Sequence, residues 1–337
     1  MKARFPHPAR ATQVREFRSL EALRAALGKR GGRVVLDAGA GFAFGGFEVA
    51  GGESSKRWPE LSRILAWLAS ARAERSSPLI VIGGGATLDL GALAASLYRR
   101  GMPLVLVPTT LLGMVDATLG GKTAVDFESE GRLLKNFAGT FYPAAEVWIC
   151  GDFLRTLPPR ERVSGAGEVF KTMWIRGRAW DSAPLLRYVR TGEVSPALGR
   201  LVRECLAVKA RLVEKDPLDE KRVRELLNFG HTAGHALESV TGLSHGECVL
   251  WGMRVEAGLL GRAGAQMAAE CAQVLDALGL AWPSPGLGED EWARFLGADK
   301  KTKGGRIELS VLRAPGKVVK KRIPVAGVAK ALANFLP

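Results

Sequence analysis

PLIVIGGGATLDLGALAASLYRRGMPLVLVPTT, residues 78–110, decides the fold. An apolar run ends in three glycines, Gly83, Gly84 and Gly85. A helical stretch, ATLDLGALAASLYRRG, follows, and MPLVLVPTT is a second apolar run. Strands that are apolar throughout and alternate with helices lie parallel in a sheet covered on both faces. Glycine after a strand lets the backbone approach a phosphate, and the start of the next helix adds N–H donors and a favourable dipole. The pattern is not GxGxxG, so the usual dinucleotide fingerprint is absent. Alone, a strand–GGG–helix is as readily a tight turn.

Working outward, RVVLDAG reads as a short buried strand, SSKRWPELSRILAWLASARAE as an amphipathic helix and AAEVWICGD as a further strand. VREFRSLEALRAALG, residues 14–28, has apolar residues three and four apart and a glycine stop, which predicts a helix. After Pro158 and Pro159, helical patterns dominate to about residue 298. RIELSVLRAPGKVVKKRIPV then reads as a β-hairpin turning at Pro315–Gly316. The expected fold is an α/β, Rossmann-like domain with a parallel sheet at 1–157. A mainly α-helical domain ending in a β-hairpin follows at 158–337.

The chain has 337 residues, 47% apolar and 24% charged, as in a soluble globular protein. No run approaches eighteen apolar residues, so no transmembrane helix is expected. The start, MKARFPHPARATQVREF, is basic but lacks the apolar core of a secretory signal. Cys150, Cys205, Cys248 and Cys271 form no CxxC pair, which argues against a disulfide framework and a cysteine zinc site. A reducing cytoplasm is the expected home. The net charge of +14 fits nucleic-acid binding, the handling of small anions, or simple surface solvation. No zinc-finger spacing and no aromatic-basic RNP-like string is present, so nucleic acid is not the expected partner.

Three of the four histidines fall in LLNFGHTAGHALESVTGLSHGE, residues 226–247. On a helix, His231 and His235 share one face, about 40° apart and roughly 6 Å along the axis, a spacing that suits two metal ligands. Ser244 and Glu247 match a capping box, which puts His245 at the start of a second helix. Catalytic zinc usually takes three protein ligands and keeps one position open, so a carboxylate from elsewhere would complete the set. Thr232 excludes the HExxH of metalloproteases. Glu168 and Lys171, in GAGEVFK, are three apart on a helix and by themselves read as a surface ion pair. Lys122 follows Gly120–Gly121 in DATLGGKTAVD, a place to meet an anion or simply a surface lysine. Cys248 reads as a buried structural cysteine.

Taken together, these stretches resemble the 3-dehydroquinate synthase family, within the wider sugar phosphate cyclases. The matching strings are GGESSK (51–56), GGG (83–85) with Asp89, VPTTLLGMVDATLGGKTAVD (107–126), LLKN (133–136), FYPAAEVWICGDFLRTLPPRE (141–161), GEVFK (167–171), LLNFGHTAGHALE (226–238), HGE (245–247) and DKK (299–301). The resemblance implies an NAD-binding domain followed by a helical domain that binds metal and substrate. It implies zinc or cobalt held by Glu168, His231 and His245, with His235 beside the metal rather than on it. It implies that 3-deoxy-D-arabino-heptulosonate 7-phosphate is converted to 3-dehydroquinate and phosphate, with bound NAD used and regenerated in each turnover. Asp116, Lys122, Lys171, Lys209, Arg224 and Asn228 match substrate-contact and catalytic positions. Arg100, Asn136 and Lys300 or Lys301 match the phosphate side. Glu53, Lys56, Gly84, Gly85, Asp89, Thr109, Thr110 and Thr156 match the NAD side. Arg100 matches a position that reaches across a dimer interface, so a homodimer is implied. Cationic side chains suit a substrate that carries a carboxylate and a phosphate.

The chain departs from the family pattern in places. Only a short stretch separates RVVLDAG from GGESSK, and Leu88 stands where a glycine is usual. The segment VDFESEGRLLKN is a longer loop than usual, and KARLVEKDPLDEKRVR lacks the usual acidic pair. The alternatives are another sugar phosphate cyclase, a metal- and NAD-dependent alcohol dehydrogenase, and a non-catalytic relative.

Overall fold

The computed structural model describes residues 11–129, 132–297 and 302–335. Lys300 and Lys301 lie outside the described residues. The chain divides into two compact units, Met1–Leu157 and Pro158–Pro337.

The first unit begins with β1 (Gln13–Phe17), α1 (Leu20–Arg30), β2 (Arg33–Asp37), β3 (Phe47–Val49) and α2 (Trp58–Ser70). It continues with β4 (Leu79–Gly83), α3 (Gly85–Leu97), β5 (Leu104–Pro108), β6 (Lys122–Ser129), β7 (Arg132–Phe141) and β8 (Glu146–Cys150). Six strands form one sheet in the order β1-β8-β5-β4-β2-β3, and every neighbouring pair is parallel. All five residues of β4 and of β5 are buried, as strands covered on both faces must be. The chain leaves β3 and crosses β2 to reach β4, so strand order reverses at β2/β4. Ligands of open parallel sheets bind beyond the carboxyl ends of the strands at such a point.

Two expectations change here. Residues 13–17 are a strand, not the start of a helix. Val14, Phe17 and Leu20 stand three apart and imitate a helical stripe, but Gln13 to Phe17 pair with Glu146 to Cys150 along the sheet edge. The helix starts only after Ser19, whose hydroxyl accepts from the Ala22 N–H at 3.2 Å. Second, Lys122–Ser129 and Arg132–Phe141 pair antiparallel as β6 and β7, where a loop was expected. Their register shifts between Val125 and Phe127, a bulge at Asp126.

The second unit holds α4 (Pro159–Arg176), α5 (Ala183–Thr191), α6 (Pro196–Lys215), α7 (His231–Thr241), α8 (His245–Gly258), α9 (Ala265–Ala277) and α10 (Glu289–Gly297). Three strands, β9 (Thr302–Lys303), β10 (Arg306–Ala314) and β11 (Lys317–Pro324), and α11 (Val325–Ala333) complete it. β10 and β11 pair as the expected hairpin. Helix α4 is the centre: every residue from Ser164 to Trp174 is buried, so it is packed on all sides.

Glycines set how closely the helices meet. A Cβ on Gly167 of α4 would collide with the backbone of Gly246 on α8, and one on Gly246 with the Ser164 carbonyl. Gly230, just before α7, has φ +80° and lies against Val249 and Met253 of α8. Each of these glycines is a chain neighbour of Glu168, His245 or His231. No helix among the described residues is long and apolar enough to cross a membrane.

Candidate functional site

In the helical unit, α4 contributes Glu168, α7 contributes His231 and His235, and α8 contributes His245. Glu168 is fully buried. Its Oε1 lies 3.7 Å from His231 Nε2 and 3.6 Å from His245 Nε2. Donor atoms at zinc's usual bond lengths and tetrahedral angles stand about 3.4 Å apart, so the three fit one ion. They form a group whose ligand atoms all lie within 4.8 Å of one another.

The ring orientations fit as well. His231 Nδ1 lies 3.3 Å from the Phe229 carbonyl, which can accept only from Nδ1–H. His245 Nδ1 lies 3.1 Å from a Glu238 carboxylate oxygen. These contacts favour the tautomer that leaves Nε2 as a lone-pair donor facing Glu168. Burial pushes the His245 imidazolium down, but hydrogen bonds and charge from Glu168 and Glu238 outweigh it, raising its pKa to about 10. The surroundings therefore favour positive charge on that ring, and a metal would compete with the proton there.

His235 is exposed, and its ring centroid lies 5.3 Å from that of His231 and 6.1 Å from that of His245. Lys171 is not the surface partner its spacing suggested. It is 1% exposed and its ammonium contacts the Glu168 carboxylate inside the helical core. Lys209 and Arg224 are also buried, at 6% and 4% exposure, and Asn228 is half-buried. Of the Ser244–Glu247 capping box only one half forms: the Glu247 carboxylate accepts from the Ser244 N–H, while the Ser244 hydroxyl makes no capping bond.

Arg224 stands at the end of a loop shaped by Asp216. The Asp216 carboxylate accepts from the N–H groups of Glu220 at 2.9 Å, Lys221 at 3.0 Å and Val223 at 3.0 Å. Burial pushes its pKa up, but these bonds prevail and hold it below the usual aspartate value. Glu256 of α8 is likewise fully buried, and it accepts backbone bonds at the start of α7. Neither residue carries a sequence motif that would have singled it out.

In the α/β unit the carboxyl ends of β4 and β5 place Gly84, Gly85, Thr109 and Thr110 together. The Thr109 N–H donates to the Gly83 carbonyl at 2.9 Å. Gly84 caps α3 with no side-chain bond, so the first-turn N–H groups keep their donor capacity. Leu88 is buried on α3 and meets the core. At the strand-order reversal, the Asp37 carboxylate accepts from the Thr87 hydroxyl at 3.1 Å, another residue the sequence reading passed over.

Lys56 is 4% exposed and donates to Asp89 at 2.6 Å and to the Asn136 side-chain oxygen at 2.5 Å, with Glu53 at 3.8 Å. Burial lowers the lysine pKa, but Asp89 and then Glu53 outweigh it and hold Lys56 above the ordinary value. Asn136 has φ +53°, and its N–H donates to Asp126 at the bulge at 2.7 Å. The structure thus joins a residue matched to the phosphate side with three matched to the NAD side. Asp116 lies in a π-helical turn (113–117), and Lys122 opens β6 with its side chain exposed. Arg100 is exposed after α3 with φ +65°, and Thr156 is exposed near Phe153, whose carbonyl its hydroxyl bonds.

Residues 46–164 match the model of the 3-dehydroquinate synthase N-terminal domain, and residues 165–302 match that of the C-terminal domain. The 3-dehydroquinate synthase of Pyrobaculum aerophilum is 39% identical over 298 residues, 86% of this chain and 84% of that protein. ValA, a 2-epi-5-epi-valiolone synthase from Streptomyces hygroscopicus subsp. jinggangensis solved with NAD+ and Zn2+ bound, superposes with a TM-score of 0.82 at 26% identity over 98% of each chain. A 2-deoxy-scyllo-inosose synthase complexed with carbaglucose-6-phosphate, NAD+ and Co2+ gives 0.81 at 22% identity, covering 98% of this chain and 99% of that one. From the two domain matches and the extent of the sequence identity, this chain belongs to the 3-dehydroquinate synthase family.

Proposed function

We propose that this chain is a 3-dehydroquinate synthase, a phosphate-eliminating cyclase acting on 3-deoxy-D-arabino-heptulosonate 7-phosphate. The observation that carries the reading is the triad of Glu168, His231 and His245, converging within ligand distance beside the buried Lys171. When bound, NAD supplies a reversible hydride store and zinc or cobalt supplies Lewis acidity. Support for these cofactors comes from the two related cyclases solved with NAD+ and Zn2+ or Co2+.

With C5 held at the ketone level, the C6 proton would be acidic and would leave as the bond to phosphate breaks. Return of the same hydride to C5, ring opening and an aldol step would then close the carbocycle. Glu168, His231 and His245 hold the metal, and exposed His235 beside them is the group placed to move a proton. Lys171, Lys209, Arg224 and Asn228 hold the substrate, with Asp116 and Lys122. Arg100, Asn136, Lys300 and Lys301 serve the phosphate side. Glu53, Lys56, Asp89 and the glycine and threonine turns serve NAD, with Thr156.

Related cyclases act on other sugar phosphates, which is the second reading. The buried cations Lys209 and Arg224 favour a substrate with a carboxylate. A homodimer belongs to the first reading: strands β6 and β7 expose Phe127, Leu133 and Phe137, with the two phenyl rings stacked at 6.0 Å. Four buried free cysteines fit a reducing cytoplasm.

The test is phosphate release from 3-deoxy-D-arabino-heptulosonate 7-phosphate with and without added NAD and zinc, and in Glu168→Ala. Release that needs both and is lost in the variant is expected. No release from the metal-loaded protein would move the assignment to other sugar phosphates.

A further inference from the structure

We infer that Glu256 is the positioning residue of the metal centre: it fixes the start of α7, and through it the His231 ring. The inference rests on the metal reading above. Glu256 is 0% exposed and sits near the far end of α8, on the helix whose first residue is His245. One carboxylate oxygen accepts from the Gly230 N–H at 2.8 Å. The other accepts from Thr232 at 3.0 Å and Ala233 at 3.2 Å.

These are the N–H groups around His231, the first residue of α7. A helix start leaves its first N–H groups without intrahelical partners, and they are usually met by a residue just before the helix. Here Gly230 occupies the cap position and has no side chain to offer. A carboxylate from the neighbouring helix takes over. Its charge matches the positive end of the α7 dipole, and bonds from peptide N–H to an ionised carboxylate are strong ones.

The geometry makes this more than a brace. The His231 ring is oriented by the Phe229 carbonyl, in the same turn that Glu256 grips on either side of the histidine. Gly230, at φ +80°, reverses the chain between that carbonyl and the ring. If the grip loosens, the carbonyl and the ring lose their mutual placement, and the Nε2 lone pair loses its aim. Because α8 also begins with His245, one helix supplies a ligand at its start and sets the position of a second ligand from near its end.

The test uses the full-length protein in wild-type form and as Glu256→Gln, Glu256→Asp and His231→Ala. Zn2+ affinity is measured by competition with a chromophoric chelator, and the visible absorption of the Co2+ form is recorded. Circular dichroism of each metal-free protein checks that it is folded. Glu256→Gln keeps the shape but sets an amide N–H2 against a backbone N–H. It is expected to stay folded, lose about 10- to 100-fold in Zn2+ affinity and change the Co2+ band intensities. Glu256→Asp keeps the charge one methylene short and is expected to fall between Gln and wild type, a measurement that stands if the Gln variant does not fold.

Wild-type Zn2+ affinity and an unchanged Co2+ spectrum in a folded Glu256 variant would overturn the inference while leaving the metal reading intact. A wild-type protein that binds neither metal, or His231→Ala binding as wild type does, would overturn both.

Discussion

In the α/β unit one lysine, Lys56, is buried among Asp89, Glu53 and Asn136. In the helical unit one carboxylate, Glu168, is buried against Lys171 and two histidines. The signs are reversed, and so is the chemistry open to each. An ammonium has only protons to give, so Lys56 is spent on drawing its own loop, helix α3 and strand β7 together. Glu168 offers lone pairs, and so do the two Nε2 atoms beside it. The first cluster is a knot that shapes a surface, and the second is a set of donors facing a common point. Backbone placement follows the same division. The ligands ride on helices that touch through glycine, whereas Lys56 and Asn136 come from a loop and a bulged hairpin.

The strongest way to break this comparison is to remove the central charge of the second cluster. Glu168→Gln is expected to lower phosphate release about 1000-fold, since metal Lewis acidity is worth several kcal/mol in such reactions. A steady-state assay at saturating zinc checks it; an effect below tenfold would place the metal elsewhere.

Next comes the helix contact that brings the ligands together. Gly246→Ala sets a methyl into the Ser164 carbonyl and is expected to cost about 1–3 kcal/mol, with weakened zinc binding. Thermal melting with and without zinc reads both effects. A melting point equal to wild type would show that the contact has slack.

Lys56→Met tests the first cluster. Losing the donor to Asp89 and Asn136 is expected to cost about 1–3 kcal/mol of stability. It should also raise the Kd for NAD while zinc affinity stays at its wild-type value. Calorimetric titration of each ligand separates the two, and a parallel fall in zinc affinity would contradict the division drawn above.

The smallest effect concerns a charge held by peptide groups alone. The Asp216 carboxyl is depressed, so its contribution to stability is present above the ordinary aspartate pKa and is lost as pH falls through the lower folded value. Asp216→Asn is therefore expected to be less stable than wild type at pH 7 and to converge with it below about pH 4. Urea midpoints across that range check the sign; a gap that stays constant would mean that the charge is not what matters.

Much of this was legible in sequence. The apolar runs that became β4 and β5 announce a parallel sheet because strands buried on both faces have no polar alternation. His231 and His235 declare one helical face by spacing alone. The edge strand β1 was hidden because its apolar residues stand three apart and run straight into a helix. Hairpin β6–β7 was hidden because DFESEGRLLKN has neither a strong alternation nor an Asn-Gly turn. The burial of Glu168 and Lys171 was not legible either, since their spacing is that of a surface pair and only packing around α4 takes them inside. Glu256 has no local signature, because every group it holds comes from another helix.

The order of the ligands along the chain has a consequence for how the protein assembles. His231 and His245 ride on consecutive helices joined by a short connection, so their meeting closes a small loop. Glu168 lies on α4, with α5 and α6 between it and the histidines. Contacts near in sequence form sooner than distant ones. The two-histidine half of the site is therefore expected to exist during refolding before the carboxylate arrives. Zinc added at the start of refolding would then find a partial site, and the docking of α4 would be the step whose rate the metal changes.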